Sequence, residues 1–110
     1  MVGGSTIIKG SGGIFETYKN LLEQILSKIR ILENNSIGHK EEWSMNQLFT
    51  IKSEIKELYD YAEKGKIFFK YGNKQRMLVS TYCVTESLFN LNSTDLGKLI
   101  LSLQELYNSF

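Results

Sequence analysis

Proline is missing from all 110 residues, and histidine and cysteine occur once each. Without proline nothing interrupts long helices, and few rigid loops are expected. One cysteine, Cys83, excludes an internal disulfide and suits a reducing compartment. The single histidine, His39, lies far from Cys83 in sequence, so no side chains stand at metal-ligand spacing and no metal or other cofactor is expected. No apolar run approaches the roughly 18 residues that span a bilayer. The apolar pair Ile7-Ile8 is too short for a signal-peptide core. A cytoplasmic protein without a membrane partner is therefore the expectation. A formal net charge of +1 provides no molecule-wide attraction to nucleic acid or anionic lipid.

Catalytic machinery is also missing. His39 falls in a predicted turn, and no nucleophile signature surrounds Cys83 or the serines. Cys83, between Tyr82 and Val84, reads as a small buried hydrophobe. Glu54, Glu57, Asp60 and Glu63, interspersed with Lys52 and Lys56, read as the solvated outer face of a helix. A di-metal carboxylate bundle would need Glu-x-x-His on two helices, and the one histidine is not placed for it. The glycine-rich start is not a phosphate loop, because Gly13 is followed by Ile14 and Phe15 rather than by lysine and a hydroxyl residue. The chain is expected not to be an enzyme.

What is present is a set of amphipathic segments. Residues 1–13 hold five of the nine glycines and one charge, Lys9. They read as a flexible arm, with a short docked strand at Thr6–Lys9 as the alternative. Residues 14–110 read as one helical domain. Phe15, Tyr18, Leu22, Ile25, Ile29 and Leu32 step by three and four residues, predicting a helix over 14–34. Ser44 and Gln47 form a capping box, with Trp43 able to staple against Leu48, and open a second helix over 44–64. Leu48, Ile51, Ile55, Leu58 and Ala62 are its stripe, and Gly65 is a left-handed cap after it. A third helix is predicted over 74–90, with Leu78, Tyr82 and Phe89 on one face and Ser80 in the opposite polar stripe. The fourth, over 93–109, is capped by Asn92 and carries Leu96, Leu99, Leu103, Leu106 and Phe110. The fold class is all-α, an antiparallel bundle of about four helices. The alternative is α+β with a hairpin at 66–85, because Ile67, Phe68 and Phe69 favour strand.

One segment has an uneven character. Lys64, Lys66, Lys70, Lys74 and Arg76 occur without an acid and interleave with Phe68, Phe69 and Tyr71. Cations can neutralise phosphates while aromatics stack on bases, so this segment is the candidate contact for a partner or for single-stranded nucleic acid. The competing account puts the aromatics in the core and leaves the lysines in solvent. Tyr59, Tyr61 and Tyr107 are further candidate anchors for a protein interface.

Trp43 at the predicted turn, with Tyr59-Asp60-Tyr61-Ala62-Glu63 in the second helix, resembles in part the small bacterial export substrates of the WXG type. Those form a helical hairpin with Trp-x-Gly at the turn and Tyr-x-x-x-Asp/Glu after the second helix. Here Met45 stands at the glycine position, Tyr59 lies inside the helix and two further elements follow, so membership is not inferred. The functional expectation is a non-catalytic helical protein-interaction or regulatory module that self-associates. A small nucleic-acid-binding protein using residues 64–76 is the alternative.

Overall fold

The computed structural model describes residues 6–34, 43–69, 77–87 and 90–110. Their order is β1 (Thr6–Lys9), α1 (Gly12–Asn34), α2 (Met45–Glu63), β2 (Lys66–Phe69), α3 (Val79–Thr85), a 3-10 turn (Leu91–Ser93) and α4 (Asp95–Asn108). The architecture is a helical bundle with one small two-stranded antiparallel sheet. α1 packs between α2 and α4, while the short α3 bridges α2 and α4.

The three-four spacing of α1 and α2 is realised as core. Tyr18, Leu22, Ile25 and Ile29 are fully buried, and so are Ile51 and Ile55. Ser44 caps α2 as expected: its hydroxyl accepts from the Gln47 N–H at 3.1 Å, and the Gln47 side chain accepts from the Ser44 N–H at 2.8 Å. Trp43 and Leu48 are both buried in the core, where a staple puts them. Gly65 has φ +74° and ends the helix, with its N–H donating to the Ala62 carbonyl at 2.9 Å.

Several expectations are corrected. Over its described part the arm is not free, since Thr6–Lys9 forms a strand and Gly12-Gly13 open α1. The β-branched Thr-Ile-Ile run suits a strand, and its ladder to β2 offsets part of the ordering entropy. The hairpin alternative is half right. Lys66–Phe69 is a strand, but its partner is β1, in the register Thr6↔Phe69 to Lys9↔Lys66. Residues 79–85, within the stretch 76–85 that would be the second arm of that hairpin, are helical. The third helix is shorter than 74–90 and is turned the other way. Ser80, Thr81 and Val84 point inward, and Tyr82 is exposed.

The fourth helix starts later than predicted. Residues 91–93 form a 3-10 turn, and Thr94 rather than Asn92 is the cap, its hydroxyl accepting from the Gly97 N–H at 3.0 Å. Its buried stripe is Leu96, Ile100, Leu103 and Tyr107, while Leu99, Leu106 and Phe110 sit at the margin of the core. The stripe is rotated because Gly97 and Gln104 also face inward, toward the 3-10 turn and α3.

A methyl group at Gly97 would overlap the Leu91 carbonyl and approach the Thr94 hydroxyl oxygen at 3.0 Å. Alanine gains up to about 1 kcal/mol in helix propensity, but overpacking against backbone costs roughly 1–3 kcal/mol or more. Gly97→Ala is therefore expected to lower stability in urea unfolding, against the usual benefit of alanine in a helix. A variant as stable as the wild type would mean that the 91–94 turn yields freely.

Candidate functional site

The structure separates the basic-aromatic segment into two parts. Phe68 and Phe69 are buried, at 6% and 4% exposure. Phe68 stacks on Tyr61 with ring centroids 4.4 Å apart, and Phe69 meets Tyr107 at 5.1 Å. The Tyr107 hydroxyl donates to the Phe68 carbonyl at 2.8 Å and fastens β2 to α4. Neither ring is available to a base. Lys64 and Lys66 are exposed. Lys70, Tyr71, Lys74 and Arg76 lie outside the described residues, as does His39.

Sequence reasoning missed the cation that the fold adds. Lys9 is the cross-strand partner of Lys66, and with Lys64 the two border a surface groove of about 520 Å³ that includes Ile7 and Ile8. Lys64 Nζ lies 5.9 Å from the Tyr61 ring centre. Among the described residues no carboxylate pairs with these three lysines. Ion pairs there join Lys19 to Glu63, Lys28 to Asp95 and Lys52 to Glu33, at 3.3 to 3.5 Å.

The tyrosines proposed as interface anchors are committed within the chain. Tyr107 is buried, and Tyr61 packs on Phe68. Tyr59 donates to Glu23 at 2.9 Å and ties α2 to α1. Its hydroxyl is pushed above the ordinary tyrosine range by its hydrogen bonds to Glu63 and then Glu23. Glu63 is held below the ordinary glutamate range, by Tyr59 first and Lys19 second. That contribution is fully present at neutral pH and is lost as pH falls through the lowered value.

A second surface lies across α2 and α3. Phe49 and Val79 border one hollow of about 300 Å³. Met45 is one turn before Phe49 on α2, and Tyr82 one turn after Val79 on α3, so each pair shares a face of its own helix. Met45, Phe49 and Tyr82 are 64%, 69% and 50% exposed, whereas other large apolar side chains of these helices are buried or packed against the core.

Beneath that surface is a polar cluster that the sequence concealed. Glu54, expected on the solvated face with Glu57, Asp60 and Glu63, is only 3% exposed. Its carboxylate accepts from the Val79 N–H at 3.0 Å and from the Ser80 N–H and hydroxyl at 2.7 Å each. Gln104 of α4 accepts from the Leu78 N–H at 2.8 Å and the Thr81 hydroxyl at 2.7 Å. Leu78, at the N-cap position, has no capping side chain of its own, so the neighbouring helices supply the acceptors. Cys83, on the same helix, is half-buried, and burial first, with the Glu54 charge second, pushes its thiol up. The Tyr18 hydroxyl is also buried, without a hydrogen-bond partner among the described residues, and desolvation holds it well above the ordinary tyrosine range.

No group of three or more histidine, cysteine or acidic side chains converges as a metal site among the described residues. None of the described helices is long and apolar enough to cross a membrane. No protein-family model, curated protein or solved structure matches the chain.

Proposed function

We propose that this chain is a non-catalytic, cytoplasmic protein-interaction or regulatory module that self-associates through the α2/α3 face. The observation that carries it is the cluster of Met45, Phe49, Val79 and Tyr82, built on two helices that Glu54 holds together. The apolar stripes of α1 and α4 are largely covered within the monomer, with Ile14 and Ile31 of α1 left exposed. An apolar patch on one chain meets the same patch on a second copy across a two-fold axis without needing a different partner.

Burying the exposed parts of Met45, Phe49 and Tyr82 on both protomers contributes roughly 5–10 kcal/mol. Association opposes this with a cost of about 4–15 kcal/mol. A reversible, weak dimer follows. Sedimentation from micromolar to near-millimolar concentration is expected to show the mass rising toward twice that of the chain. Phe49→Glu should remain monomeric throughout with an unchanged circular dichroism spectrum, because Phe49 is largely solvent-exposed in the monomer. A wild-type chain that stays monomeric at the highest concentration removes the proposal.

The nucleic-acid alternative retains one supporting observation, the gathering of Lys9, Lys64 and Lys66. Phe68 and Phe69, its aromatics among the described residues, are buried and offer no platform for the base stacking that sequence-tolerant single-strand binding relies on.

A further inference from the structure

We propose that the open edge of β1 accepts an extended acidic peptide segment of a partner protein as a third strand. This surface is separate from the α2/α3 face. The Gly10 N–H donates to the Gly65 carbonyl at 2.8 Å, which continues the β1–β2 register by one pair. Antiparallel ladders alternate, so Ile8↔Ile67 and Thr6↔Phe69 are the other hydrogen-bonded pairs. The backbone N–H and C=O groups of Ile7 and Lys9 then point away from β2, to the outer edge. On the far side of the sheet the equivalent edge is closed, since the outward Phe68 carbonyl is taken by the Tyr107 hydroxyl. Among the described residues the sheet has two strands, so none of them pairs with β1 on its other side.

The side chains around that edge define what it takes. Ile7 and Ile8 are 46% and 36% exposed, which gives an incoming strand apolar contact. Lys9 and Lys66 are directly opposite one another, and like charges so placed disfavour the pair. Lys64 borders the same groove. Its sequence neighbour Glu63 is occupied by Tyr59 and Lys19. Carboxylates brought by a third strand relieve the repulsion and add charge-assisted contacts. A second copy of β1 is a poor occupant, because Thr6–Lys9 brings a further cation and no carboxylate. Strand addition to a sheet edge is a general mode of peptide capture in which main-chain bonds supply the affinity. A peptide of generic sequence therefore suffices as a probe.

The probe is a blocked seven-residue peptide alternating glutamate with valine, titrated into the full chain at low salt with amide resonances as the readout. Saturable binding is expected, with the largest shifts at the Ile7 and Lys9 amides and weakening as salt rises. Two further peptides, N-methylated on one or the other alternating set of amides, separate strand addition from charge alone. At least one should bind about tenfold more weakly or worse. The double variant Lys9→Gln/Lys66→Gln should lose about tenfold, whereas Phe49→Glu should bind like the wild type. Absence of binding at millimolar peptide overturns the proposal, as does equal affinity for all three peptides. Oligothymidylate binding tighter than the peptide, and competing with it, would overturn it in favour of a phosphate-backbone site.

Discussion

Phe69→Ala is expected to destabilise the fold by about 3–5 kcal/mol, the range for truncating a buried phenylalanine. Phe68→Ala should fall in the same range. Phe69 lies against Tyr107 and Phe68 against Tyr61, so each truncation leaves a cavity lined by an aromatic ring that cannot follow the retreating side chain. The β2 ladder to β1 and the Tyr107 bond to the Phe68 carbonyl use backbone, so they restrict how far the strand can relax inward. For a chain of this length such a loss lowers the melting temperature by more than about 10 °C. The same variants discriminate the two accounts of the basic-aromatic segment. If the rings stacked on bases, alanine would cost about 1–3 kcal/mol of oligonucleotide affinity and little stability. A thermally unaltered Phe69→Ala that had lost oligonucleotide binding would reverse the assignment made here.

The parts of the fold that were legible in the sequence are those governed by local chemistry. Ser44 and Gln47 form their capping box within four residues, and Gly65 adopts its left-handed conformation from its own lack of a Cβ. The stripes of α1 and α2 follow from helical geometry alone, and every residue assigned to the α2 stripe is buried. Element α3 was misread because its orientation is set from outside. Periodicity ranks faces by apolar content, and it put Tyr82 inward and Ser80 outward. Acceptors on α2 and α4 reverse that order, because buried N–H groups without partners cost more than an exposed tyrosine ring. Glu54 was misplaced for the same reason. On a helical projection it lies next to Leu58 and Ile51, at the border of the stripe, and only the partner segment 78–81 makes an inward carboxylate favourable.

The site was less legible than the fold, because it depends on a contact across 57 to 63 residues of chain. Thr6–Lys9 could be weighed as a strand from its β-branched residues, but nothing local indicates that it pairs with Lys66–Phe69. Without that pairing Lys9 is an isolated charge in a glycine-rich stretch. With it, Lys9 faces Lys66 and completes a groove lined by three cations and no acid.

Glu54→Ala is expected to release α3 from the bundle at a cost of about 3–5 kcal/mol, set by the buried donors it leaves without an acceptor. Alanine removes the acceptor of three donors at once: the Val79 N–H, the Ser80 N–H and the Ser80 hydroxyl. Each buried donor left alone costs about 1–3 kcal/mol, reduced where water enters the vacated space. Loss of a negative charge at the start of a helix adds a smaller term of about 0.3–1 kcal/mol. Glu54→Gln discriminates charge and geometry from volume. Its one carbonyl oxygen can still serve Ser80, but its amide then presents N–H to the Val79 N–H, so it should recover only part of the loss. Hydrogen exchange at residues 79–85 reports the effect locally, and Cys83 supplies an independent signal. Its thiol is held up by burial and by the Glu54 charge, so removing Glu54 and loosening α3 both increase its thiolate fraction and access. Disulfide-reagent modification of Cys83 should therefore accelerate in Glu54→Ala more than in Glu57→Ala. If Glu54→Ala unfolds outright, Gln104→Ala offers the milder test, because it frees the Leu78 N–H and Thr81 hydroxyl while Glu54 still holds Val79 and Ser80. Unchanged exchange and thiol reactivity in both variants would show that α3 is held by Leu78 and Val84 packing and not by its borrowed cap.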